Sequence, residues 1–156
     1  MVIRKATQDD LSRVNELRRQ VNDVHVAGKP EVFRPGFSAA LQQHLYTVFA
    51  QDDHEVLVAE TEAGIAGFAL LRYIDHPGSP YRLPARFVAV EEFGVDESQR
   101  RQGIGRALFA AICNRARERD VSRIELNMWE FNEDALKFYE AIGFQTYRRY
   151  MEYSVD

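Results

Sequence analysis

Residues 86–119 carry three signals with no spacer between them. RFVAVEEFGV (86–95) is an apolar run of strand length, and DESQRRQGIG (96–105) is a polar turn with two glycines. A helical run follows, with Ile104, Leu108, Phe109 and Ile112 on one face and arginines opposite. A buried strand passed through a glycine turn into a helix implies an α/β chain, because the helix must cover the sheet that the strand joins. The rest of the chain agrees. Val2 to Ala6 is β-leaning. Thr7 and Asp10 have capping-box spacing, with Asp replacing Glu. Leu11, Val14, Leu17, Val21 and Val24 then predict a helix over 8–24, stopped by Gly28 and Pro30. A second helical stretch starts near Ser38 and carries Leu41, Leu45, Val48 and Phe49. EVLVAE (55–60) and IAGFALLRY (65–73) predict an antiparallel hairpin about Gly64, and 75–84, with three prolines, a loop. SRIELNMW (122–129) alternates as a strand, 132–142 is helical with Gly143 at its C-terminal cap, and 144–153 reads as a last strand. The predicted order is β-α-α-β-β-β-α-β-α-β.

Composition removes several classes of function. A chain of 156 residues is expected to form one domain, here 1–156, with a core that needs no staple. Cys113 is the single cysteine, which excludes an intrachain disulfide framework and any multi-cysteine metal site. His25, His44, His54 and His76 lack metal-type spacing, so no metal is expected. Twenty Lys+Arg against 24 Asp+Glu give a formal charge of −4, which argues against a nucleic-acid or anionic-membrane partner. No apolar run approaches the roughly 20 residues of a membrane span. MVIRKATQDD lacks the apolar core of a signal peptide. These features predict a soluble, cytoplasmic protein.

The turn Arg100-Arg101-Gln102-Gly103-Ile104-Gly105-Arg106 has two readings. Unpaired amides at a helix start, glycines that admit an oxygen to the backbone and three nearby arginines make a phosphate site. The plainer reading is a tight turn with solvated arginines. Arg106 stands where a Walker motif needs Lys-Ser/Thr after its glycine, and Leu108 where a dinucleotide fingerprint needs its third glycine.

With Phe93-Gly94-Val95 before it and Ala107-Leu108 after it, this turn resembles the Arg/Gln-x-x-Gly-x-Gly/Ala signature of the GNAT (GCN5-related N-acetyltransferase) superfamily. A second element agrees independently. Asn132-Glu133-Asp134-Ala135-Leu136-Lys137-Phe138-Tyr139, then Gly143-Phe144, is similar to that family's Asn-x-x-Ala-x-x-Phe-Tyr helix and the Gly-Phe that follows it. The element order from residue 2 to 153 matches as well. The resemblance implies an α/β fold with a mixed, mostly antiparallel sheet flanked by helices. It also implies acyl transfer from acetyl-CoA to an amine, the acceptor being a small molecule or a peptide. A non-catalytic acyl-CoA-binding regulatory module and a protein N-terminal or lysine acetyltransferase remain alternatives, and a homodimer is compatible with either.

The resemblance also assigns roles. The amides of Arg101 to Arg106, flanked by Arg100, would hold the cofactor's pyrophosphate, with Gln102, Gly103, Ile104 and Gly105 shaping the turn. Phe93, Gly94 and Val95 would pair through their backbone with the pantetheine arm, one neighbouring amide polarising the acetyl carbonyl. Asn132, with Ala135 on the same motif, would contact that arm, and Phe138 would lie beside it. Tyr139 matches the tyrosine that protonates the leaving thiolate. The alternative is a core aromatic.

An alkylammonium with a pKa near 10.4 is only about one part in a thousand neutral at pH 7, so the acceptor needs a base. Glu91 and Glu92 stand on an otherwise apolar strand, where a carboxylate needs a partner or a function. Alternation turns them to opposite faces unless a bulge intervenes. Glu-Glu-Phe-Gly-Val resembles the Glu-Asp-Phe-Phe-Val of polyamine acetyltransferases, which points to Glu91; a salt bridge is the alternative for either. His25 and His44 fall where the family builds its acceptor pocket, and the aromatics Phe33, Phe37, Tyr46, Tyr73 and Tyr81 either line an acceptor site or close the core. Structural roles are the simpler reading for these.

Overall fold

The computed structural model describes residues 1–155. Its elements are β1 (Val2–Lys5), α1 (Leu11–Gly28), α2 (Ala39–Phe49), β2 (His54–Thr61), β3 (Gly64–His76), β4 (Ala85–Val95), α3 (Ile104–Glu118), β5 (Ile124–Leu126) and α4 (Glu133–Ala141). One sheet runs in the order β1-β2-β3-β4-β5. The first three pairings are antiparallel and β4–β5 is parallel, as a connection through the crossover helix α3 requires.

Both faces of the sheet are covered, which is why β2 and β3 are apolar at consecutive positions. Val56, Val58, Phe68 and Leu70 meet Leu11, Val14 and Leu17 of α1 and Leu45 and Val48 of α2. Leu57, Ala59, Ala69, Leu71, Val88 and Val90 meet Ile104, Leu108, Ile112 and Ala116 of α3. The Thr7 amide donates to the Asp10 carboxylate at 2.7 Å, but the contact opens a single 3-10 turn over 8–10 before α1 begins. Ser38 caps α2, its Oγ accepting from the Leu41 amide at 3.3 Å. Gly143 has φ 103°, and the Phe144 amide donates back to the Tyr139 carbonyl at 3.0 Å, closing α4.

Two strand expectations are corrected. The segment 122–129 is a strand only over Ile124–Leu126, and the segment 144–153 forms no strand at all. Both follow from the end of the sheet. Opposite Leu70 and Leu71 the β4 register jumps from Glu92 to Val90, leaving Glu91 as an inserted residue. Such a bulge bends its strand, and β5 keeps only the three partners Val88, Ala89 and Val90 before it. The C-terminal segment then has a three-residue edge to join, too short to template ten residues. It touches that edge through the Tyr147 hydroxyl, which donates to Glu125 at 2.8 Å, and leaves Tyr150, Met151 and Tyr153 exposed.

Candidate active site

Among the described residues, the β4 groups beyond Val90 that point away from β3 have no neighbouring strand, and residues 127–132 turn aside toward α4. The split opens a cleft of about 270 Å³ between β4, the β5–α4 connection and α1. Glu91, Glu92, Phe93, Asn132, Ala135 and Tyr139 all line it, although the sequence separates them by up to 48 positions (139 − 91).

The two acids do not face opposite ways, contrary to simple alternation. Glu92 meets Arg18 of α1, and Glu91 Oε2 lies 3.4 Å from Nε2 of His54, whose strand neighbours Val56 and Val58 belong to the α1/α2 core. The bulge turns both toward that side. Their surroundings differ. Both oxygens of Glu92 accept from Arg18, Nε to Oε2 and Nη2 to Oε1, each at 2.7 Å. Arg18 is buried, and its Nη1 donates to Asn15 Oδ1 and to the Leu41 carbonyl, both at 2.8 Å. Among the described residues Glu91 has no arginine or lysine partner, and its side chain is about one-third exposed (32%).

Tyr139 stands edge-on to Phe93 at 6.2 Å and to Phe144 at 5.5 Å. Burial pushes its hydroxyl up to about 12, because the phenolate would lose hydration with no compensating charge nearby. Phe138 stacks on Phe93 at 5.7 Å and closes against α3. A Cβ on Gly105 would come within 3.0 Å of the Phe138 ring, so this glycine lets α3 and α4 approach. Gly94 is close-packed too, a Cβ there meeting Phe68 at 2.8 Å and Val21 at 2.9 Å. Asn132 is the α4 N-cap, its Oδ1 accepting from the Ala135 amide at 3.2 Å. Asn132→Ala is therefore expected to cost about 1 kcal/mol. Thermal melting of the variant without ligand would measure this separately from any change in affinity.

The glycine turn lies at the other end of this part of β4. Asp96 anchors its start, accepting from the Ser98 amide at 3.0 Å and from Ser98 Oγ at 2.7 Å. Arg13 adds an ion pair, and together these hold the Asp96 carboxyl below the ordinary carboxylate range. Arg101 (φ 65°) and Gly103 (φ 80°) both occupy the left-handed region. A Cβ on Gly103 would meet nothing, so glycine is needed there for its backbone angle rather than for space. Alternation of this kind turns successive amides toward one point, a concavity that suits anions. Among the described residues the amides of Arg101 to Arg106 make no hydrogen bond to another protein group. The Ile104 side chain is core, leaving only its amide for the turn, and the Arg101 and Arg106 side chains are exposed.

Three features of the cleft and of the wall behind it were not legible in the sequence. Arg18 stands beside Leu17 on the buried face of α1, and a charge within that apolar stripe was the available signal. His54 reads as a turn residue but is buried at the start of β2, in period with Val56 and Val58. Trp129 lines the cleft and meets Phe33 edge-on at 5.3 Å. His25 does line the cleft, stacked on Phe33 at 5.2 Å, and burial pushes its imidazole below the usual range. His44 is exposed on α2 and does not line it. Phe37 lines it, Tyr46 joins the α1/α2 core, Tyr73 donates to Glu55 on the opposite face, and Tyr81 is exposed.

Comparison with known proteins agrees with this architecture. The chain is 28% identical over 119 residues to L-ornithine N5-acetyltransferase NATA1 of Arabidopsis thaliana, a match covering 74% of this chain and 50% of the relative. The chain thus spans about half the length of that curated relative. The crystal structure of a tetramutant of the BH1408 protein from Bacillus halodurans superposes with a TM-score of 0.94 at 29% identity, covering 99% of this chain and 100% of that one. Aminoglycoside N-acetyltransferase AAC(6′)-Iy, solved in complex with CoA, shares the fold with a TM-score of 0.77 at 19% identity, covering 99% and 93%. Residues 18–144 match the acetyltransferase (GNAT) family, a span holding the β4 cleft, the glycine turn and α4. This chain belongs to the acetyltransferase (GNAT) family.

Proposed function

We propose that the chain transfers an acetyl group from acetyl-CoA to a primary amine of a small molecule by direct attack. The observation that carries this is one continuous path. The unpartnered backbone of β4 leads from the free amides of residues 101–106 to a cleft holding Glu91 and Tyr139. Acetyl-CoA would supply the activated acyl thioester. The turn amides, with Arg101 and Arg106, hold its pyrophosphate, and the free β4 groups align its arm. A β4 amide donates to the oxygen that gains charge as the amine adds. Glu91 takes the ammonium proton; Glu92 is less suited, since both its oxygens are held by Arg18. Tyr139 gives its proton to the departing thiolate, a group with a pKa of about 8.5. The likeness to an ornithine acetyltransferase supports a small amine over a protein acceptor.

Two measurements test the reading. Acetyl-CoA should raise the melting temperature by mass action, about 2.7 kcal/mol at a hundredfold excess over Kd. Arg101→Glu with Arg106→Glu should raise Kd by about tenfold or more, or 1.4 kcal/mol. Gly105→Asp is a poorer probe, because its side chain would first strike Phe138. A wild-type protein whose melting ignores both acetyl-CoA and CoA would refute the cofactor assignment. CoA release should then be followed with ornithine, polyamines, aminoglycosides, amino acids and peptide N-termini. Release with peptides alone would make the acceptor a protein. Stabilisation by acetyl-CoA with no release for any amine would make the chain a binding module.

A further inference from the structure

Glu91 does not stand alone at the bulge. His54 Nε2 lies 3.4 Å behind it, and His54 Nδ1 lies 2.6 Å from Asp53 Oδ1. Asp53 Oδ2 in turn accepts from Arg72 Nε at 3.1 Å. The His54 side chain is 5% exposed, whereas those of Asp53 and Arg72 are nearly half exposed. An ionised carboxylate only accepts, so the short contact to Asp53 places a proton on Nδ1 and leaves Nε2 facing Glu91. The Nε2 lone pair, 3.4 Å from Glu91 Oε2, is thus placed to share a proton that Glu91 receives. Glu91 and His54 can then hold one added proton between them, with Asp53 fixing the tautomer and balancing the imidazolium.

We propose that His54, oriented by Asp53, is a positioning residue that makes Glu91 an effective proton acceptor for the incoming amine. This rests on the reading of Glu91 as the base. As the amine attacks, its N–H bond breaks and an O–H bond forms on Glu91. That proton is shared onto His54 Nε2, giving an imidazolium held by Asp53. After the amide product leaves, the proton returns through Glu91 to water in the open cleft. No other group is consumed. Other titratable groups also face this site. Arg18 and Glu92 neutralise each other, and Arg72 is engaged by Asp53. His25 of α1 lines the cleft with burial pushing its imidazole below the usual range, Tyr139 of α4 lines it too, and α2 contributes the exposed His44 beside Tyr46.

The test uses the full chain, with kcat and KM measured from pH 6 to 10 on the amine that releases CoA fastest. His54→Gln should lower kcat about tenfold at pH 7 and leave KM for acetyl-CoA within about twofold. The deficit should close by pH 9–10, where the amine loses its own proton. Asp53→Asn, at an exposed position that tolerates change, should act in the same direction. Glu91→Gln/His54→Gln should be no slower than Glu91→Gln, since the two act in series. In wild-type protein, ¹⁵N NMR should show His54 as the Nδ1–H tautomer, and Asp53→Asn should shift it toward the Nε2–H form. A His54 deficit equal at every pH, additive losses in the double variant, or a tautomer indifferent to Asp53→Asn would each overturn the proposal. If Glu91→Gln flattens the acidic limb while His54→Gln behaves as wild type, only the His54 role falls. If Glu91→Gln leaves that limb untouched, the base assignment itself falls.

Discussion

Tyr139→Phe should lower kcat by about 10- to 10⁴-fold while leaving acetyl-CoA affinity nearly unchanged. The substitution removes one oxygen from a ring held by Phe93, Phe138 and Phe144, so the packing that shapes the cleft survives. What is lost is the proton for the thiolate. The direction of the tyrosine's shift adds a second expectation. With its hydroxyl pushed up to about 12, Tyr139 stays protonated across the working range, so its ionisation should not depress kcat between pH 8 and 10. The stability linkage has a definite sign. A folded pKa above the unfolded value near 10 favours the fold below pH 10, and that contribution fades as pH rises toward 12. Pre-steady-state mixing must first show that chemistry limits turnover. An unchanged chemical rate in Tyr139→Phe would return this residue to the role of a core aromatic.

Glu92→Ala should destabilise the protein by about 2–4 kcal/mol, the largest stability effect expected in the cleft. Among the described residues its carboxylate is the only charge facing the buried Arg18 guanidinium within hydrogen-bond distance. Removing it strands a cation beneath α1. Because Glu92 is only partly buried, water entering the cleft should keep the loss below the full cost of an orphaned interior charge. Glu92→Gln should cost less, since one acceptor remains. The double variant Arg18→Met/Glu92→Met should recover part of the loss, because the uncompensated charge is gone. Denaturant melts of the single and double variants measure this coupling directly. Simple additivity would show that the guanidinium never depended on Glu92.

The contrast between the two neighbouring acids comes from one inserted residue. Strand alternation sends Glu91 and Glu92 apart, and the register jump at Leu70/Leu71 brings them back together. Nothing in VAVEEFGV announces a bulge, because an extra residue in a ladder is defined by the partner strand. His54 was hidden for a related reason. Its burial depends on α1 and α2 covering a strand end that, read locally, borders the polar turn QDDH.

Local chemistry was enough for much else. The helices, the β2–β3 hairpin, the caps at Ser38, Asn132 and Gly143 and the glycine turn are written in residues a few positions apart. Such features depend on backbone angles and near-neighbour hydrogen bonds, so the sequence determines them without knowing the fold. The cleft is different in kind. Where β5 leaves β4, which acid Arg18 claims, and how Phe138 reaches Gly105 are contacts between elements up to 74 residues apart (92 − 18). The missing final strand belongs with them: Phe144 to Tyr153 has strand propensity, but a strand also needs an edge, and β5 offers three residues. Propensity is a property of a segment, whereas pairing, burial and charge compensation belong to the assembled chain. For this protein the tertiary structure decided the site for that reason.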